Sequence, residues 1–142
     1  MAHFKRFMQA HRAIYEWTGG RLGGHLLGID MVLMYTVGRQ SGRIISTPVA
    51  CYRLDDHGVW VHATNHGQEK PPAWWLNLQA QPEIDIRLGR ERYRIRAEES
   101  SQEHYEHIWQ QLVERQPRIA HYRAQTSRVI PLVFLRFIQR YS

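Results

Sequence analysis

Cysteine is almost absent from this 142-residue chain. Cys51 stands alone, which excludes an internal disulfide framework and points to a reducing compartment. Lysine is nearly as scarce: Lys5 and Lys70 are the only two among nineteen cations, so seventeen are arginines. Arginine favours planar, bidentate contacts with phosphate or carboxylate. No apolar run approaches the ~18 residues that a membrane-crossing helix needs. Residues 1–11 are charged from the start and lack the apolar stretch of a secretory signal, so the chain reads as cytoplasmic. It contains no G-x-S-x-G nucleophile elbow, no Walker loop and no dinucleotide-binding glycine pattern. No repeat, linker or low-complexity tract divides it, and residues 1–142 read as one domain.

Apolar residues make up 43% of the sequence and aromatics 11%, which excludes a disordered chain and is enough for a real core. The formal charge of +6 is unevenly spread. Residues 31–54 carry Arg39, Arg43 and Arg53 without an acid, and residues 112–142 carry six arginines against Glu114. Residues 83–99 balance at five of each sign. A basic face built from the early segment and the tail is the expectation, suited to an anionic small molecule or a membrane surface. No nucleic-acid-binding module is present, and no nucleic-acid partner is expected.

Hydrophobic spacing divides the chain into elements. Residues 1–18 hold an amphipathic helix with Phe4, Phe7, Met8, Ile14 and Trp17 on one face and Lys5, Arg6 and Arg12 beside it. Residues 1–17 could dock on the rest of the fold or make a peripheral membrane contact. Strands are predicted at 31–36 and 44–54, the second at an edge or bulged because Pro48 donates no ladder bond. Asp55 to Gly58 reads as a turn, with Gly58 at positive φ, and residues 59–64 as the returning strand of a hairpin. A short helix follows the Pro71-Pro72 pair, carrying Trp74, Trp75 and Leu78. Residues 84–88 and 93–97 alternate as paired strands. Tyr105, Ile108, Trp109, Leu112 and Val113 form the apolar face of a helix, 117–126 is a further helical piece, and 129–137 is the last strand. Six strands, short helices and no βαβ alternation specify an α+β, mainly β fold around an antiparallel sheet or barrel.

Several residues could carry chemistry. His104 and His107 share a helix face, and His62 and His66 flank a loop, but no further ligand stands in register, so no metal is expected. Cys51 lies mid-strand beside Val49 and Ala50 and reads as a buried, inert thiol. The segment Gly38-Arg39-Gln40-Ser41-Gly42-Arg43 joins two strands and can offer backbone N–H groups and guanidinium forks to phosphate.

Thr18-Gly-Gly-Arg21-Leu-Gly-Gly, Tyr35 to Arg43, Thr47-Pro48, Ala63 to Gly67, Pro72 to Leu78, Asn77 to Pro82 and Thr126 to Pro131 together resemble the deazaflavin-dependent nitroreductase family, over roughly residues 5–137. The resemblance implies a split β-barrel related to FMN-binding and pyridoxamine-phosphate-oxidase proteins. It implies reduced coenzyme F420 as cofactor and hydride transfer to a quinone, a nitro compound or another activated double bond. Gly38, Arg39, Gln40, Ser41, Gly42 and Arg43 would hold the anionic cofactor tail. Thr47, Pro48 and Val49 would line the ring. Ala63, Thr64 and Asn65 match the stretch whose backbone and hydroxyl meet the deazaflavin, and Lys70, Trp74 and Asn77 match the loop and helix after it. Thr64 and Tyr122 are the implied catalytic pair, Thr64 polarising an oxygen and Tyr122 stabilising an anion or supplying a proton. The chain departs from the family pattern at Gln40, Ile45 and Asn65, where cations usually stand, and at Gln116 and Ile119, where tyrosines stand. Those departures leave FMN as an alternative cofactor, and a non-catalytic, FMN- or haem-binding split barrel as an alternative function.

Overall fold

The computed structural model describes residues 30–142. The helix expected within residues 1–18 and its membrane contact lie outside the described residues. Among the described residues six strands are formed: β1 (Met31–Val37), β2 (Ile44–Ala50), β3 (Gly58–His62), β4 (Glu83–Leu88), β5 (Glu91–Glu99) and β6 (Leu132–Tyr141). Three α-helices accompany them there: α1 (Ala73–Ala80), α2 (Gln102–Arg115) and α3 (Ile119–Ala124). All strand pairs are antiparallel, in the order β2-β1-β4-β5-β6-β3.

The expected hairpin between the second and third strands is not formed. β2 and β3 lie at opposite edges of the sheet. β3 pairs instead with β6, seventy residues further along, setting Val59 opposite Leu135 and Val61 opposite Val133. The reason is burial: these four side chains are at most 1% exposed, a gain that a local turn does not offer. One bridge still joins the two edges. Tyr52 and Trp60 exchange both backbone hydrogen bonds, at 2.9 and 2.8 Å. The sheet thereby curls until its edges meet at one point, giving a half-closed barrel. Pro48 sits on the edge strand β2, where its missing donor costs no ladder bond.

Gly58 departs from its expected role too. It has no positive φ. A Cβ there would stand 2.2 Å from the Leu135 carbonyl oxygen, so the absence of a side chain is what lets β3 approach β6. The final strand starts at Leu132 rather than 129, because Pro131 is used just before it: its carbonyl accepts the Ala63 N–H at 2.9 Å.

Two apolar clusters sit on the two faces of the curled sheet. The inner one gathers Val32, Met34, Val59, Val61, Ile84, Ile86, Ile95 and Leu135, sealed by Trp74, Trp75 and Leu78 of α1. The outer one joins Tyr52, Ile130 and Leu132 to Trp109 and Leu112 of α2 and Ile119 of α3. Tyr105, Ile108 and Val113 pack against it, so the helix face expected from the spacing is the face that is buried. Cys51 is buried, and burial pushes its thiol up to about 12, which makes it inert as expected.

Part of the charge expected on a basic face is paired with acids. Arg136 pairs with Glu98, Arg140 with Glu91 and Arg123 with Glu106, while Arg94 and Arg96 meet Asp85 and Glu83 across β4 and β5. Arg136 and Arg140 are drawn to Glu98 and Glu91 by strand pairing between β5 and β6.

Candidate active site

The connection between β1 and β2 is a closed loop. The Gly38 N–H donates to the Arg43 carbonyl at 2.8 Å, and the Gly42 N–H donates back to the Gly38 carbonyl at 2.8 Å. The Arg43 N–H donates to Ser41 Oγ at 3.1 Å. Gly42 has φ 71°, a conformation glycine adopts without steric cost. Arg39 is tied to α1: its N–H and its Nη1 both donate to Asn77 Oδ1, at 3.1 and 3.2 Å. Asn77 is 3% exposed, and these two bonds satisfy its buried oxygen. Four of the six loop amides are therefore spent inside the protein. What the loop offers to a ligand is chiefly its side chains, with Arg39, Gln40, Ser41 and Arg43 all exposed.

Thr47, Pro48 and Val49 follow on β2, opposite Met34, Leu33 and Val32. Pro48 is buried and its two neighbours are half-buried. Trp74 and Ala63 belong to the inner core. Ala63 also has both backbone groups engaged, the N–H by Pro131 and the carbonyl by Arg128. These two residues are built into the frame of the site.

Residues 64–70 make a strained turn. Asn65 and His66 adopt φ of 47° and 57°, followed by Gly67 at 78°. Non-glycine residues pay roughly 1–2 kcal/mol for such a conformation, so the surroundings must hold it. Arg128 does this most directly. Its Nε donates to the Gln68 carbonyl at 2.9 Å, and its Nη2 donates to the Ala63 and Thr64 carbonyls at 3.0 and 2.9 Å. Glu69 accepts from the Ser127 N–H and hydroxyl at 3.2 and 3.1 Å. Asn65 Nδ2 donates to the Lys70 carbonyl at 2.8 Å, closing the turn, and the Lys70 side chain is exposed.

Around this turn the expected catalytic residues Thr64 and Tyr122 meet Tyr52, His62 and His66. The His62 ring lies between Tyr52 and Thr64. Its Nε2 is 3.1 Å from the Tyr52 hydroxyl, and its Nδ1 is 3.0 Å from Thr64 Oγ1. Tyr122 stands edge-on to the His66 ring at 5.8 Å. Burial and then the neighbouring His66 push His62 down to about 4, so it is neutral near pH 7. Burial, followed by the charges of Cys51 and Tyr122, raises the Tyr52 phenol above its ordinary range. His62 and His66, considered as metal ligands from their spacing, are thus built into hydrogen-bonding and aromatic contacts. Among the described residues no three histidine, cysteine or acidic side chains cluster as a metal site.

Arg128 and Tyr52 escaped the sequence reading. Arg128 sits in the 126–131 segment that carries part of the resemblance, but its three carbonyl partners lie about sixty residues away. The period-2 alternation Trp60, His62, Thr64 was the available signal for His62.

The family model for F420H(2)-dependent quinone reductases matches residues 7–136. The chain belongs to this family. Like the family, it is an oxidoreductase, and the family's reductant is coenzyme F420 in its reduced form. An F420H(2)-dependent quinone reductase of Mycobacterium tuberculosis (strain ATCC 25618 / H37Rv) is 30% identical over 134 residues, covering 92% of this chain and 89% of that protein. A solved F420-H2-dependent reductase superposes with TM-score 0.66 at 29% identity, over 74% of this chain and 92% of that one. The likeness in fold extends to a putative pyridoxamine 5'-phosphate oxidase from Listeria innocua, with TM-score 0.57, 11% identity and coverage of 78% and 86%. The architecture is thus the split barrel of FMN-binding and pyridoxamine-phosphate-oxidase-like proteins.

The donor set of this loop and turn fits an anionic cofactor. Arg39, Arg43 and Lys70 are exposed, and none of the three forms an ion pair among the described residues. Helix α1 joins their two segments: Lys70 stands three residues before it, and Asn77 within it holds Arg39.

Proposed function

We propose that the protein reduces a quinone at the expense of reduced F420, with a nitro compound or another activated double bond as the broader acceptor class. The cofactor supplies the hydride when bound, and the protein needs no nucleophile of its own. In this reading Arg39, Arg43 and Lys70 hold the phosphate and carboxylate groups of the tail, with Gln40, Ser41 and the open Gly42 lining the same loop. Thr47, Pro48 and Val49 form a wall against the ring, and Ala63 and Trp74 keep that wall in place. Thr64 and Asn65 border the ring or acceptor oxygen. Tyr122, held beside His66, stabilises developing negative charge or delivers a proton.

The observation that carries this reading is the closed Gly38–Arg43 loop with its two exposed guanidinium groups, in a chain of this family. Fluorescence titration of the full chain with F420, tail-less deazaflavin and FMN tests it. The expected order of affinity is F420, then tail-less deazaflavin, then FMN, together with oxidation of F420H2 by a benzoquinone. Equal affinity for the first two would remove the tail from the reading. Binding of FMN alone would replace it with a flavin protein.

A further inference from the structure

His62, Thr64 and Trp60 alternate on one side of the chain, away from Val59, Val61 and Ala63 of the inner core. That side carries the outer cluster, and Tyr52 belongs to it. The His62 ring therefore joins a buried phenol to the turn at Thr64, with both ring nitrogens within hydrogen-bond distance of a hydroxyl.

A neutral imidazole has one N–H and one acceptor nitrogen. Two arrangements satisfy the distances. In one, Nε2–H donates to the Tyr52 oxygen and Nδ1 accepts the Thr64 hydroxyl proton. In the other, Tyr52 donates to Nε2 and Nδ1–H donates to Thr64 Oγ1. Even with its pKa raised by burial, the phenol is a more acidic hydroxyl than an aliphatic alcohol. It is thus the better donor, and the second arrangement is favoured. Its consequence falls on Thr64. With Oγ1 accepting from His62, the threonine's own proton is left to be donated elsewhere.

We propose that His62 is a positioning residue, which receives a hydrogen bond from Tyr52, donates one to Thr64, and so commits the Thr64 hydroxyl to donate to a carbonyl oxygen of the bound ring. The inference rests on the reading above that Thr64 borders the ring site. The carbonyl belongs either to the deazaflavin or to the quinone. The chain Tyr52, His62, Thr64 has a fixed direction and involves no net proton transfer. It orients a donor before the acceptor arrives, which is where electrostatic stabilisation of an oxygen gains most.

The first test needs no cofactor. Nitrogen-15 NMR of the histidine rings in the full chain at pH 7 should find His62 protonated at Nδ1, with Nε2 as the acceptor. Protonation at Nε2 would overturn the proposal outright. The second test compares His62→Asn, whose amide N–H takes the place of Nδ1–H, with His62→Leu and Thr64→Val. Thr64→Val and His62→Leu should each cost about tenfold, the loss of one neutral hydrogen bond. The double variant should be no worse than either single change, and His62→Asn should recover most of the loss. A rise in the F420 dissociation constant would assign the carbonyl to the deazaflavin. A fall in kcat/KM for the benzoquinone at unchanged F420 affinity would assign it to the acceptor. If Thr64→Val behaves as the native protein, the reading of Thr64 at the ring fails, and this inference with it. If Thr64→Val is impaired while folded His62→Leu is not, or if His62→Asn is as weak as His62→Leu, the reading stands and the role of His62 is overturned.

Discussion

Asn77 carries more of the candidate site than its neutral side chain suggests. One oxygen holds both the backbone and the guanidinium of Arg39. Asn77→Ala should therefore cost about 1–3 kcal/mol by denaturant unfolding, since it strands the Arg39 N–H that it covers. Arg39→Ala leaves that backbone bond in place. It should weaken F420 binding about tenfold with a smaller loss of stability, and Arg43→Ala should weaken binding with none. These arginines were legible as candidates for anion binding from the Gly-rich spacing between two strands. Their anchor was not, because Asn77 lies 38 residues away and only packing of α1 on β1 brings it near. His62 supplies a second residue-scale prediction. Its folded pKa of about 4 lies below the unfolded value near 6.5. The unfolded chain therefore binds the extra proton first as pH falls. Stability from the neutral ring is complete above about pH 6.5 and is lost progressively on acidification towards pH 4, by roughly 3 kcal/mol in all. Urea unfolding at pH 7 and pH 4.5 should find this loss, and His62→Asn should flatten it.

At the scale of elements, the pairing of β3 with β6 decides the architecture, and Gly58 permits it. Gly58→Ala should cost about 3 kcal/mol or more, because the new Cβ meets a backbone carbonyl at 2.2 Å that cannot rotate away. Gly89→Ala is the control. Gly89 has φ 60° but open space around it, so its cost should be limited to about 1–2 kcal/mol of backbone strain. Similar costs for the two variants, measured by the same unfolding, would mean that the close approach of β3 to β6 is not rigid. The strands at 83–88 and 91–99 could be read directly, because alternation and a two-residue turn are local signals. The hairpin expected at 44–64 failed for the complementary reason. Asp55 to Gly58 is a real turn, with the Asp55 carboxylate accepting the His57 N–H at 2.7 Å. A turn fixes where the chain bends, not which strand it then pairs with.

Across the whole molecule, arginine is divided between two tasks. Arg136, Arg140, Arg94 and Arg96 are absorbed by acids across the sheet, while Arg39, Arg43 and Lys70 are exposed and form no ion pair among the described residues, which suits the proposed role in holding an anionic tail. Raising salt to about 0.5 M should therefore separate two properties. F420 affinity should fall severalfold as exposed charge is screened, whereas the urea midpoint should move little, since exposed ion pairs contribute little to stability. A parallel fall in both would mean that the sheet depends on its ion pairs. The amino-acid sequence by itself determined the local features: alternating strands, the buried face of α2, an inert Cys51 and a glycine-punctuated loop bearing arginines. Each is set by the preferences of neighbouring residues, with a period of 2 or 3.6. The tertiary structure alone decided that β3 crosses to β6, that Arg136 and Arg140 meet Glu98 and Glu91, that Arg128 clamps the turn at Thr64, and that Tyr52, His62 and Thr64 form one hydrogen-bonded chain. Most of these contacts join residues distant along the chain, and burial of the two clusters selects them together. Even the short span from Tyr52 to Thr64 takes its geometry from the strand that β3 joins.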